Sequence, residues 1–202
     1  MLLLLIALAD PAPAALFDGK TLAGWEGDAK TWRVEDGCIV GGSLDAAVPR
    51  NEFLCTTKPF GDFELKLRFK LLGDPKTANA GVQFRTKRIP DHHEVIGYQA
   101  DIGQGYWGAL YDESRRNKVL AGPAPELAAK LAKPDDWNEY VVRAVGPKIT
   151  LRLNGTVTVE YTEADAAIAR GGVIGLQVHG GGRCKVLYTD ITLADATPGT
   201  GR

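Results

Sequence analysis

Period-two alternation of apolar and polar residues, turn signals spread along the whole chain and scarce helical patterning predict an all-β protein, a two-sheet β-sandwich or jelly roll in one domain. The clearest alternation lies in D-F-E-L-K-L-R-F-K-L, residues 62–71. It sets Phe63, Leu65, Leu67 and Phe69 on one face and Glu64, Lys66, Arg68 and Lys70 on the other, the pattern of a half-buried antiparallel strand. The 24 glycines and 11 prolines supply turns at short intervals.

Element by element, Asp36-Gly37 between Trp32-Arg33-Val34 and Cys38-Ile39-Val40 predicts a first hairpin. Strands are expected at Phe53–Thr57, Ala80–Thr86, Val95–Ile102, Trp107–Tyr111, Trp137–Val145, Gly172–His179 and Arg183–Leu193. The run I-T-L-R-L-N-G-T-V-T-V, 149–159, places Asn154-Gly155 between two alternating arms, a strong hairpin signal. A short helix is expected over Pro125–Lys133, with proline at its start and Pro134 beyond its end, and a turn or two of helix at Glu163–Ala169.

At 202 residues and 21.7 kDa the chain buries roughly 70% of its unfolded surface and needs no metal or disulfide to hold a core. With 24 basic against 25 acidic side chains it lacks the electrostatic footprint of a nucleic-acid or polybasic membrane binder. The N-terminus departs from this plain picture. The apolar run Leu2–Ala9, followed by Ala12-Pro13-Ala14, predicts a signal peptide over 1–14 and an exported, periplasmic or extracellular protein, although positive residues are missing from its start. The run is too short to span a bilayer, so no membrane insertion of the mature chain is expected. A single domain over 15–195 and a disordered tail over 196–202 complete the organisation. Cys38, Cys55 and Cys184 allow one bridge and one free thiol, but an odd count without close spacing fits buried apolar cysteines better.

Several short motifs imitate chemistry. Gly103-Gln-Gly105-Tyr-Trp-Gly108 matches GxGxxG, yet no βαβ unit surrounds it, and its glycines are better explained as a loop carrying Tyr106 and Trp107. His179-Gly180-Gly181-Gly182 is like an esterase oxyanion loop in a chain without a GxSxG elbow. In Asp91-His92-His93-Glu94, adjacent strand histidines would point to opposite faces and the segment follows Pro90, a loop signal, both of which disfavour a metal cluster. Asn154-Gly155-Thr156 is formally a glycosylation sequon, and the turn accounts for it.

Strand parity says more. Asn79, Gly81, Gln83 and Arg85 share one face, with Val82 and Phe84 opposite; Gln99 and Asp101 share a face, with Tyr98, Ala100 and Ile102 opposite; Gln177 and His179 alternate with Leu176 and Val178. Three strands thus each present amides plus one chargeable group. If they neighbour one another in one sheet, that face is a polar floor for sugar hydroxyls, with Trp107, Tyr106 and Tyr111 as aromatic walls. The alternative is an ordinary solvated sheet face, but such faces more often carry mixed charges, as 62–71 does.

The opening Leu16-Phe17-Asp18-Gly19-Lys20-Thr21-Leu22-Ala23-Gly24-Trp25 resembles that of the 3-keto-disaccharide hydrolase domain family. The resemblance continues through Gly61–Leu65, Asn79–Arg85, Gly97–Asp101, Gly108–Tyr111, Asp136-Trp137-Asn138, Leu153-Asn154-Gly155 and Gly175–Gly180, and so covers 16–193. Ala80 stands where the family motif has a serine, and Gly97-Tyr98-Gln99-Ala100-Asp101 replaces a longer acidic run. The resemblance implies a concanavalin-like jelly roll. It also implies cleavage of 3-keto-glycosides: a ketone at C3 acidifies the C2 proton, a base removes it, the enolate is held, and the C1 oxygen leaves before water adds, for a net hydrolysis. The paired-acid signature of family-16 glucanases is absent, so retaining hydrolysis by two carboxylates on one strand is not expected.

Mapped onto this chain, that chemistry makes His179 the base, Arg85 the enolate clamp, and Asp101 either the leaving-group acid or the group that orients His179. Asn79, Gln83, Gln99, Trp107, Tyr111 and Gln177 are the expected substrate-binding residues. The cofactor requirement is open: a divalent metal held by Asp101 and His179 is an alternative electrophile to Arg85, and the sequence does not choose between them. The expected partner is a small carbohydrate. Two other classes use the same fold: a non-catalytic carbohydrate-binding module, which would keep the amide-rich face, and a protein-interaction sandwich, which would show an exposed apolar patch instead.

Overall fold

Fifteen strands and one helix follow one another along the chain in a computed structural model that describes residues 12–196. The apolar run of the expected signal peptide and residues 197–202 lie outside the described residues. The strands are β1 (Ala14–Ala15), β2 (Trp25–Glu26), β3 (Trp32–Glu35), β4 (Cys38–Ser43), β5 (Glu52–Thr56), β6 (Phe63–Gly73), β7 (Asn79–Arg88), β8 (Val95–Gly103), β9 (Leu110–Glu113), β10 (Lys118–Ala121), β11 (Asn138–Val145), β12 (Lys148–Leu153), β13 (Thr156–Thr162), β14 (Val173–Val178) and β15 (Cys184–Asp195). The helix, α1 (Pro125–Leu131), falls between β10 and β11 and has proline in its first turn, as expected.

All pairings are antiparallel. One sheet has the order β13-β12-β11-β6-β15-β4-β3, with β1 added beside β15, and the other has the order β10-β9-β8-β7-β14-β5-β2. This is the two-sheet jelly roll that the alternation predicts. The strand β6 buries Phe63, Leu65, Leu67 and Phe69 completely and exposes Glu64, Lys66 and Arg68. Between the sheets Phe69 stacks on Tyr140 at 5.1 Å and on Trp107 at 6.2 Å, while Phe84 packs on Phe63 and Tyr98 at 6.2 and 5.7 Å. All three cysteines are buried and free.

Three local expectations are corrected. Trp107 precedes β9 in a turn rather than starting a strand, and Glu163–Ala169 forms bends and a turn rather than helix. Residues Asp91–Glu94 lie in the hairpin loop that Pro90 signals, where the rings of His92 and His93 stack 4.6 Å apart. The Asn154 side chain is partly buried and donates to the Leu131 carbonyl and to Asn138 Oδ1, both at 2.8 Å, in agreement with the turn reading.

The third correction concerns Arg85. Strand β7 keeps its alternation only to Phe84, because the register with β8 shifts between Phe84 and Lys87 and Arg85 takes a left-handed φ of 49°. This bulge turns Arg85 away from the face of Asn79, Gly81 and Gln83. Its side chain, 2% exposed, pairs instead with Asp62 Oδ1 at 2.9 Å at the start of β6, and Asp62 Oδ2 accepts from the Gly146 N–H at 2.9 Å. Beyond the bulge the hairpin tip curls across β14 towards β5. There Asn51 Nδ2 donates to Glu94 Oε1 at 3.1 Å, Arg88 Nε lies 2.8 Å from Glu26, and Val95 packs with Phe53, Cys55 and Val173.

Removing Asp62 leaves the buried Arg85 guanidinium without its counter-charge. Asp62→Ala is expected to lower the unfolding free energy by about 3 kcal/mol, at the low end for a broken buried pair because Asp62 is partly exposed. Urea denaturation checks this, and an unchanged midpoint would refute the structural role of the pair.

Candidate functional site

The outer face of the second sheet holds a cleft of about 520 Å³. Its floor follows from register. In one row Gln177 of β14 faces Gly81 of β7, which faces Asp101 of β8. In the next, Gly175, Gln83, Gln99 and Tyr111 line up across β14, β7, β8 and β9. At the open end the backbone N–H of His179 donates to the Asn79 carbonyl at 3.0 Å, which places His179 beside Asn79. A Cβ at Gly81 would come 2.3 Å from Cδ of Gln99, so glycine here is what lets the Gln99 amide lie across the strand between Gln177 and Asp101.

Seven residues named from the sequence line this cleft: Asn79, Gln99, Asp101, Tyr106, Tyr111, Gln177 and His179. Gln83 lies just beneath it, fully buried, donating from Nε2 to Gln99 Oε1 at 2.7 Å, and so fixes the Gln99 amide. Two expected members are elsewhere. Arg85 is bound to Asp62, so it is not the enolate clamp, and Trp107 packs on Phe69 in the core, so it is not an aromatic wall. The cleft also contains residues that parity along the three chosen strands did not include: Asn51, Lys76, Thr77, Gln104 and Glu113. Of these Glu113 was legible, because it lies two positions from Tyr111 on the same face of β9. Lys76 and Gln104 come from loops, where period two carries no information.

His179 is exposed, and its Nδ1 lies 2.7 Å from the Gly180 carbonyl. A carbonyl only accepts, so Nδ1 carries the proton and Nε2 of the neutral ring keeps its lone pair. The backbone therefore orients this imidazole, a task the sequence had left open for Asp101. Asp101 is 3% exposed. Its Oδ1 accepts from Asn79 Nδ2 at 3.1 Å and from the Ile102 N–H at 2.9 Å, but no cation pairs with it among the described residues. Burial pushes its pKa up to about 7, against the lowering effect of those hydrogen bonds. Glu113 is also pushed up to about 7, first by burial and then by the charges of Glu94 and Asp101. Lys76 is among the residues that line the cleft.

Among the described residues no group of three or more His, Cys, Asp or Glu side chains is arranged to hold a metal ion. Nor is any helix among the described residues long and apolar enough to cross a membrane. The arrangement can hold several hydroxyls on amides, take a proton at His179 Nε2 and exchange one at a carboxyl near neutral pH.

Among curated proteins none matches this chain. Among solved structures it is similar to a candidate glycosyl hydrolase from Parabacteroides distasonis, at a TM-score of 0.69 and 19% identity over 91% of this chain and 94% of that one. It is also similar to the carbohydrate-binding module CBM66 from Bacillus subtilis, at a TM-score of 0.65 and 14% identity over 85% and 96%. A Bacillus subtilis protein of unknown function with a galectin-like fold matches at a TM-score of 0.67 and 10% identity over 93% and 97%. These likenesses establish a lectin-type jelly roll. The family model described as a 3-keto-alpha-glucoside-1,2-lyase-like domain matches residues 12–194, and the chain, with its two-sheet jelly roll and amide-floored cleft, belongs to that 3-keto-disaccharide hydrolase family.

Proposed function

We propose that the cleft cleaves the glycosidic bond of 3-keto-glycosides by proton abstraction at C2, elimination and hydration. The observation that carries this is the meeting, in one amide-lined cleft, of an imidazole with a free Nε2 and a buried carboxyl that titrates near neutral pH. His179 Nε2 removes the C2 proton. The electron pair passes into the C3 carbonyl as an enolate, then forms the C1=C2 bond as the C1–O bond breaks. With Arg85 outside the cleft, the enolate oxygen is met by amide N–H groups of Asn79, Gln99 and Gln177 and by the Lys76 ammonium. A carboxyl of the floor protonates the departing oxygen, and Asp101, held near neutrality by burial, exchanges protons in the working range. Water then adds at C1, the carboxylate recovers a proton from it, and the imidazolium returns its proton to C2. We assign the protein an exported location on the apolar run Leu2–Ala9.

A non-catalytic carbohydrate-binding module is the second reading, favoured by the likeness to CBM66. A module that only reads hydroxyls has no use for cation-free carboxyls poised near neutrality, which burial makes costly to ionise. Incubation with 3-keto-glucosides separates the two: binding of intact sugars without release of aglycone would establish the module.

His179→Ala is expected to reduce aglycone release from a 3-keto-glucoside by about 10³-fold or more, within the range for loss of a general base. Undiminished turnover would remove His179 from the mechanism. Release is expected to be unchanged in EDTA, and loss on chelation restored by a divalent ion would place a metal at Asp101 and His179. The raised pKa of Asp101 fixes a further sign. The folded state holds this proton more tightly than the unfolded chain, so the stability it contributes is complete below about pH 4 and lost as pH rises through about 7. Asp101→Asn is therefore expected to melt higher relative to wild type at pH 8 than at pH 4, and a difference independent of pH in thermal melts contradicts the shift.

A further inference from the structure

Asp112 and Glu113 are chain neighbours on β9 with opposite fates. Asp112 is buried and carries two cations, Arg115 at 2.7 Å and Arg116 at 3.2 Å. Glu113, on the other face, lines the cleft, and no cation pairs with it among the described residues. The groups around it are Glu94 at the start of β8, Asp101 farther along that strand, Tyr111 and Asp112 on its own strand, and Gln177 on β14, whose Nε2 lies 3.5 Å from Glu113 Oε2. The second amide atom, Gln177 Oε1, is buried without a hydrogen-bond partner in a residue only 1% exposed. The site therefore lacks a donor, which a protonated carboxyl or a substrate hydroxyl provides.

We infer that Glu113 is a second catalytic carboxyl of this cleft, the group that protonates the departing glycosidic oxygen, with Asp101 as its buried partner. The inference rests on the elimination proposed above. Asp101 has its Oδ1 committed to Asn79 and the Ile102 N–H and is almost wholly covered, whereas Glu113 has the longer arm and is partly exposed. Both titrate near neutrality, burial being the first cause in each, and the charges of Glu94 and Asp101 add to the rise at Glu113, so a proton is retained in the working range. Burial, with the charges of Glu94 and Asp101, keeps that proton on Glu113 until reaction. As the C1–O bond breaks, its electron pair leaves with the oxygen, which takes the proton from Glu113. The resulting carboxylate takes a proton from the water that later adds at C1, and the cycle closes without an external acid.

Leaving-group dependence tests this. An alkyl 3-keto-glucoside needs a proton on its departing oxygen; a 4-nitrophenyl 3-keto-glucoside does not. Glu113→Gln is expected to lower kcat/KM for the alkyl substrate by about 10²–10³-fold and for the nitrophenyl substrate by less than about 5-fold, with partial recovery in Glu113→Asp. Wild-type kcat/KM for the alkyl substrate is expected to fall above about pH 7, with no such fall for the nitrophenyl substrate, a readout that needs no variant. Equal losses on both substrates, or none on either, overturn the assignment. So does a leaving-group dependence seen in Asp101→Asn and not in Glu113→Gln. Failure of the wild-type protein to release nitrophenol at all overturns the elimination itself and Glu113 with it, an outcome distinct from the others.

Discussion

The pleat of the seven-stranded sheet imposes one constraint from which the rest follows: each strand must bury one side chain and offer the next to the cleft. On β7 and β8 this places Val82, Ala80, Ala100 and Ile102 in the core and Gly81, Gln83, Gln99 and Asp101 on the other face. The core face anchors the strands through apolar burial, worth roughly 1.5–3 kcal/mol for each large side chain. The cleft face thereby gains a floor whose side-chain positions are set by backbone register. An amide floor of this kind is preorganised, because Gln83 holds Gln99 and Asn79 holds Asp101 before any ligand arrives.

Electrostatics distinguishes the two sheets' outer faces. On the first sheet, Glu64, Lys66 and Arg68 face solvent and meet partners such as Glu139, 3.0 Å from Lys66, in exposed ion pairs that contribute little. On the second, carboxyls are drawn out of water and left without cations. Such groups favour the protonated form, which costs folding stability as the pH rises but supplies proton donors to the cleft. Arg85 of β7 instead joins the two sheets through Asp62. A single bulge therefore separates structural from chemical charge within one strand.

That bulge also shapes the cleft. By turning β7 after Phe84 it sends the hairpin tip across β14, where Asn51 binds Glu94 through its amide and accepts the Gly180 N–H on Oδ1 at 3.0 Å. The loop that carries His179 is thus tied to the tip of a hairpin whose far end carries Asn79 and Asp101. Burial of Phe53, Cys55 and Val95 under the tip stabilises this closure.

Periodicity and turn chemistry were sufficient for the sandwich, because alternation such as that of residues 62–71 leaves a strand only one face to bury, and Asn154-Gly155 permits only a tight turn. The same parity placed Asn79, Gln99, Asp101 and Gln177 on one kind of face, and extended two residues beyond Tyr111 it reaches Glu113. Sequence alone does not contain the strand order that brings those faces together, since β14 lies between β7 and β5 through contacts distant in the chain. Nor does it contain the departure from alternation at Arg85 or the docking of Trp107 on Phe69. A bulge is a local break in register set by the neighbouring strand, and a turn residue takes its direction from whatever core space it can fill. The residue types thus determined a sugar-sized polar face, and only the tertiary structure decided which charges belong to it.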